Sequence, residues 1–108
     1  MNSVPIGDVA EIRRDVVYRL QLQQMAEAFG VSVDMLLVSS REPVVVRRRW
    51  LAMWIMRKVL KLSYPAIGRA LHLDHSTAMY GVRMVERDEK LLAEATGIAE
   101  GMIATKAA

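Results

Sequence analysis

Asp74, His75, Ser76 and Thr77 are four consecutive side chains able to donate or accept hydrogen bonds, and they open a helical pattern in this 108-residue sequence. An Asp carboxylate can accept from cytosine N4, hydroxyls can bond base acceptors, and a threonine methyl can touch a thymine methyl. His75 can donate a hydrogen bond. A helix N-terminus adds free N–H groups and a positive dipole end that attract phosphate. The same Asp–x–Ser–Thr order is also what a helix start needs for capping alone. Local chemistry therefore leaves two readings open, a capped helix or a reader of base edges.

The stretch that must position these residues is LSYPAIGRALHLDHSTAMYGVRMVE, Leu62 to Glu86. It predicts a short helix, a tight turn and a longer helix. Ser63 is an N-cap for the first, and Pro65 falls in its opening turn, where a missing N–H costs little. Ile67, Ala70 and Leu71 then follow at helical spacing and face a core. Asp74 is placed as N-cap of the second helix, whose apolar stripe is Ala78, Met79, Val82 and Val85. A short helix, a turn and a helix with polar residues in its first turn suit a reader of the major groove.

Upstream, Met1 to Gly7 reads as a frayed tip. Asp8 can cap a helix running to about Phe29, which Gly30 stops. Its apolar positions fall in two stripes: Val9, Ile12, Val16 and Leu20, then Leu22, Met25, Ala26 and Phe29. The change of phase near Leu20 marks residues 1–19 as an N-terminal helical extension on a compact unit of residues 20–90. Ser32 caps a short helix, VDMLL; Ser39 to Pro43 is a loop. A long helix is expected from about Val44 to Leu62, despite a β-branched opening run unfavourable to helix. Its uncharged stretch from Trp50 to Met56 makes it the most buried helix. Trp50 and Trp54 lie on one side, either packed beneath the N-terminal extension or forming a partner site. Arg87 to Ala108 reads as a weaker helix, with residues 91–108 as a tail docked through Leu91, Leu92, Ala95 and Ile98. The fold class is all-α, a compact helical domain containing a helix-turn-helix.

Fifteen Lys and Arg against twelve Asp and Glu give a net charge of only +3, but it is unevenly spread. Residues 1–40 carry −2, residues 41–90 carry +6 and the remainder −1. A basic middle between acidic ends is the footprint of a surface that meets phosphates. There is no cysteine, hence no disulfide framework or thiolate metal site. No apolar run reaches the roughly 18 residues that span a bilayer, and no signal peptide is visible, so a cytoplasmic, nucleoid-associated location is expected. His72, Asp74 and His75 do not make a metal site, because the turn separates the histidines and no further ligand completes a shell. No nucleophile–base arrangement is present either, so the chain reads as no enzyme and no cofactor is expected.

From about Leu20 to Glu86 the sequence resembles the C-terminal DNA-binding domain of the bacterial replication initiator DnaA, domain IV, a Trp repressor-like helix-turn-helix. MAEAFGVSVDMLL resembles that family's opening helices, SSRE the start of its basic loop, and VRRRWLAMWIMRKVLKLSYPAIGRAL its long helix and first helix-turn-helix element. LDHSTAMYGVRMVE is similar to its signature, an acid, a histidine and two threonines opening the recognition helix. The resemblance implies that Asp74, His75, Ser76 and Thr77 enter the major groove, touching bases or adjoining phosphates. It puts Arg41 in the minor groove, where it reads A·T-rich sequence and groove width. Arg47, Arg49 and Lys58 or Lys61 would neutralise phosphates, each worth roughly one charge of salt dependence. Ser63 and Tyr64 would reach backbone oxygens, with a core role equally open for Tyr64.

The sequence also departs from the family pattern. HLDH makes the turn one residue shorter, Leu73 replaces a basic side chain, Ser76 stands for threonine, and Pro43 to Val46 is apolar. These departures imply a target related to the initiator's own box but different from it, or looser specificity. The 108 residues hold no G-x-x-x-x-G-K-[ST] phosphate loop, so no nucleotide partner is expected. The resemblance is then to stand-alone DnaA-like regulators without the ATPase, found in bacterial genomes and prophages, one group of which activates gene transfer agent clusters. The expected partner is double-stranded DNA, with RNA polymerase or another regulator reached through the terminal extensions and no membrane. The alternatives are an accessory factor binding the replication origin or the DnaA box, and a protein-interaction adaptor with a structural helix-turn-helix.

Overall fold

The computed structural model describes residues 19–20, 22–37 and 41–107. Among them every regular element is an α-helix. Most of the expected N-terminal extension, residue 38 at the expected end of the short helix, and residues 39–40 of the expected loop lie outside the described residues.

The described part of helix α1 covers residues 19–20 and 22–29. Leu22, Met25, Ala26 and Phe29 recur on one helical face, and all four are buried. Leu20, the last member of the other predicted stripe, is exposed, as the change of phase requires. The helix ends in a Schellman motif at Gly30 (φ 70°): Val31 N–H donates to the Ala26 carbonyl and Gly30 N–H to the Glu27 carbonyl, which satisfies carbonyls the helix end leaves open. Helix α2, Val33–Leu37, is capped as expected, the Met35 amide donating to Ser32 Oγ at 3.3 Å. Its Leu36 is buried.

Helix α3, Pro43–Lys58, is the spine. Leu51, Ala52, Met53, Ile55 and Met56 are all buried, since a stretch with no polar face has nothing to turn toward water. Trp50 and Trp54 are half-buried against the same core. The helix stops four residues before the predicted Leu62. Lys61 adopts a left-handed conformation (φ 56°), which ends helical propagation. The Leu62 amide then turns back onto the Met56 carbonyl, and the Arg57 guanidinium donates to the Leu62 carbonyl at 3.0 Å.

Helix α4, Tyr64–Leu71, begins where Ser63 Oγ accepts from the Ala66 amide at 3.2 Å. Helix α5 is His75–Arg87 and helix α6 is Glu89–Ala107. Asp88 separates them in an extended conformation, and its Oδ1 accepts from the Lys90 and Leu91 amides at 2.9 and 3.1 Å. The predicted weak tail is thus a regular helix with its own cap. Leu91, Ala95, Ala99 and Met102 are buried along it, and α6 packs on α3 and α5.

The most extensive packing is α3 on α5, followed by α4 on α5. Gly81 makes the first of these possible. A Cβ there would collide with Met53 Sδ and lie 2.8 Å from Trp50 Cδ1. Gly68 serves the second: a Cβ there would sit 2.5 Å from the Leu73 carbonyl oxygen. Both glycines are buried, and both let α5 lie close to the elements that carry it.

Candidate nucleic-acid interface

The α4–turn–α5 unit is set by a few local bonds. Leu71 and Ile67 are fully buried, which anchors α4. His72 takes the left-handed conformation (φ 58°), and the His72 and Leu73 amides both return to the Gly68 carbonyl. Leu73 is half-buried against the core. The apolar residue standing where the DnaA pattern has a basic one therefore packs inward. Ala78, Val82 and Val85 bury the inner face of α5.

Asp74, His75, Ser76 and Thr77 are all exposed at the start of α5. Asp74 has the extended backbone of an N-cap, but its side chain caps no amide; this corrects the expected capping bond. Its carboxylate instead accepts from Ser76 Oγ at 2.8 Å and lies 3.1 Å from His75 Nδ1. The short polar side chain nearest in sequence competes with the backbone for the carboxylate and takes it. The Ser76 hydroxyl, and then His75, hold the Asp74 carboxyl below its usual range. The first turn of α5 thus offers an ionised carboxylate, an imidazole and two hydroxyls side by side on solvent.

The remaining predicted residues divide. Arg41 is exposed just before α3, and Arg47 is exposed on it. Lys58 is exposed and pairs with Glu86 of α5 at 3.9 Å, a contact weak enough to exchange for a phosphate. Lys61 is exposed in its left-handed turn, and Ser63 is exposed while capping α4. Tyr64 is half-buried on the core with the Arg57 guanidinium 4.4 Å above its ring.

Arg49 is where the sequence expectation fails. It is only 8% exposed, with Nε donating to the Leu36 carbonyl at 2.8 Å and Nη2 to the Leu71 carbonyl at 3.3 Å. Those carbonyls lie at the C-terminal ends of α2 and α4, where the helix dipole is negative. Burial pulls the Arg49 pKa down. The guanidinium ties two helix ends together and is not presented to a phosphate.

Sequence reasoning also passed over Tyr80, Arg83 and Arg87, which are exposed on α5. With Ser76, Met79 and Met84 they line a surface depression of about 250 Å³. The signal was there to read, because they occupy the face opposite the buried stripe. Tyr80 is held edge-on by Trp50, centroids 5.9 Å apart and ring planes at 83°. Among the described residues no group of three or more His, Asp or Glu side chains could hold a metal ion, and no helix is long and apolar enough to cross a membrane.

The family model described as the bacterial DnaA protein helix-turn-helix matches residues 22–85, from Leu22 of α1 through Val85 of α5. The chain belongs to this DnaA helix-turn-helix family. Its similarity to chromosomal replication initiator protein DnaA of Thermomicrobium roseum is 33% identity over 97 residues, 85% of this chain and 21% of that protein. Against DnaA of Pelobacter propionicus it is 32% over 79 residues, covering 72% and 18%. Against DnaA 1 of Chlamydia pneumoniae it is 35% over 66 residues, covering 61% and 14%. The chain therefore spans about a fifth or less of the length of these DnaA relatives. The DnaA helix-turn-helix is a DNA-binding domain, and α4, the Leu71–Asp74 turn and α5 are its helix-turn-helix in this chain.

Proposed function

We propose that this chain binds double-stranded DNA sequence-specifically and acts as a transcription regulator of the prophage or gene transfer agent kind. Asp74, His75, Ser76 and Thr77 lie at base edges in the major groove, and Arg41 lies in the minor groove. Arg47, Lys58, Lys61 and Ser63 meet the sugar-phosphate backbone. The observation that carries this reading is the exposure of four consecutive polar side chains at the start of α5, directly behind α4 and its turn. Capping alone does not account for the quartet, because the Asp74 side chain caps no amide of α5. The basic segment 41–90 with its net +6 supplies the sequence-independent attraction.

The test is a salt series of equilibrium binding to A/T-containing duplexes. Replacing Ser76 and Thr77 by alanine is expected to relax base preference by roughly 1–3 kcal/mol for each base-edge interaction removed. Arg41→Ala is expected to remove the preference for narrow minor grooves. Unchanged binding in both variants would sink the reading.

A second reading, binding at the origin or the DnaA box as an accessory factor, is favoured by the relatives, which are chromosomal replication initiators. Against it stand the short turn and the inward-facing Leu73. Mapping of bound DNA across a genome separates the two by the motif recovered.

A further inference from the structure

The DNA site assigned to α5 stops at its first turn, yet the exposed face of the helix continues. Ser76, Tyr80, Arg83 and Arg87 are spaced i, i+4, i+7 and i+11, which at about 100° per residue keeps them within about 40° of one line. All four are exposed, and all four line the same depression. Ser76 belongs to both surfaces, so the two are continuous.

The chemistry of that face is selective. Two guanidinium groups and a phenol hydroxyl, all able to donate, are flanked by Met79 and Met84. No carboxylate lines it: Glu86, the acidic residue of α5, is drawn toward Lys58 of α3. Tyr80 is half exposed, yet Trp50 meets its ring edge-on, so the hydroxyl is presented from a supported side chain. Gly81 admits Trp50 to that position.

Length decides what such a face meets. At 1.5 Å per residue Tyr80 lies about 6 Å along the axis from Ser76, Arg83 about 10 Å and Arg87 about 16 Å. A major groove is about 12 Å wide. With Ser76 at base edges, the later residues reach the groove wall, where the groups offered are phosphates. An acidic protein segment is the rival occupant, since Tyr, Met and Arg are enriched at protein interfaces. Continuity with Ser76 favours the duplex.

We propose that the α5 face beyond its first turn is a second, phosphate-binding part of the DNA site. Arg83 and Arg87 each neutralise a phosphate at the groove wall, and the Tyr80 hydroxyl donates to a phosphate oxygen between the base edges and the two arginines. The inference rests on the proposed DNA-binding function and deepens it.

The experiment uses the full 108-residue chain and a duplex selected by the wild type, with binding measured across a salt series. Arg83→Ala and Arg87→Ala are each expected to reduce the slope of log affinity against log salt by about 0.9, and the double variant by about 1.8. Arg83→Lys is expected to restore the slope. Tyr80→Phe should weaken binding several-fold at every salt concentration without moving the slope. Base preference, the readout of Ser76 and Thr77, should stay unchanged throughout. All three substituted positions are exposed, and thermal unfolding confirms that the variants fold. If the wild type selects a sequence but the double variant keeps its slope, the second subsite is refuted while the DNA reading stands. If the wild type binds no duplex, both fall.

Discussion

Arg47, Arg48 and Arg49 look equivalent in the sequence, but successive helical residues point about 100° apart, so the three cannot share one environment. Arg47 is exposed, Arg48 half-buried and Arg49 buried. A basic run reads as a phosphate surface only if burial is ignored, and burial is a property of tertiary packing. Arg49→Met keeps much of the stem but leaves the Leu36 and Leu71 carbonyls without their donors. It should cost about 2–3 kcal/mol of stability in urea unfolding, as for a hydrogen-bonded buried charge. Its effect on the salt dependence of DNA binding should be nil, unlike that of Arg47→Ala. Asp74 gives a second residue-level test. Its carboxyl is held below its usual value first by the Ser76 hydroxyl. A depressed carboxyl pKa contributes stability above the ordinary carboxylate range, and that contribution disappears as pH falls through the lowered value. Ser76→Ala should move the Asp74 titration up toward the ordinary range, read by NMR of the carboxyl carbon. A titration that stays put would mean that the hydroxyl does not hold the carboxylate in solution.

Helices here are written mainly by local signals, and those signals were legible. The stripe Leu22–Met25–Ala26–Phe29 faces the core, as do Ile67, Ala70 and Leu71 of α4 and Ala78, Val82 and Val85 of α5; Met79, expected in the α5 stripe, instead lines the outer depression. Ser32 and Ser63 cap the helices they precede. The end of α3 was not legible, because the residue that reverses the chain is Lys61, and a lysine carries no left-handed signature of the kind glycine does. The reach of α5 was legible in principle as the complement of its buried stripe, but the polar quartet drew the reading to the first turn. The two close approaches were hidden as well, since Gly68 and Gly81 look like ordinary weak points in helical patterns. They should respond differently to an added methyl. At Gly68 the obstacle is the Leu73 backbone, which cannot yield without moving the turn. At Gly81 the nearest atom is the flexible Met53 thioether, and the gain in helix propensity of roughly 1 kcal/mol offsets part of the clash. Gly68→Ala should therefore destabilise by about 1–3 kcal/mol, and Gly81→Ala by less, in thermal or urea unfolding. The reverse order would place the tighter contact on the wrong side of α5.

At the scale of the whole molecule, one hydrophobic cluster joins residues of α1, α2, α3, α4, α5 and α6. That explains why a basic surface can be built on so short a chain. The helices whose outer faces carry Arg47, Lys58, Arg83 and Arg87 are fixed from inside by apolar contacts rather than by those charges. Along the sequence the bias is −2 over residues 1–40, +6 over residues 41–90 and −1 after residue 90, so the attraction for a polyanion is concentrated in the middle segment. The edge-on contact between Trp50 and Tyr80 has a practical corollary. The sequence has only two tryptophans, and one of them touches the ring that stands on the outer face of α5. A ligand settling over Tyr80 would alter the surroundings of that indole, so the unlabelled protein carries its own optical reporter of whether this helix is occupied.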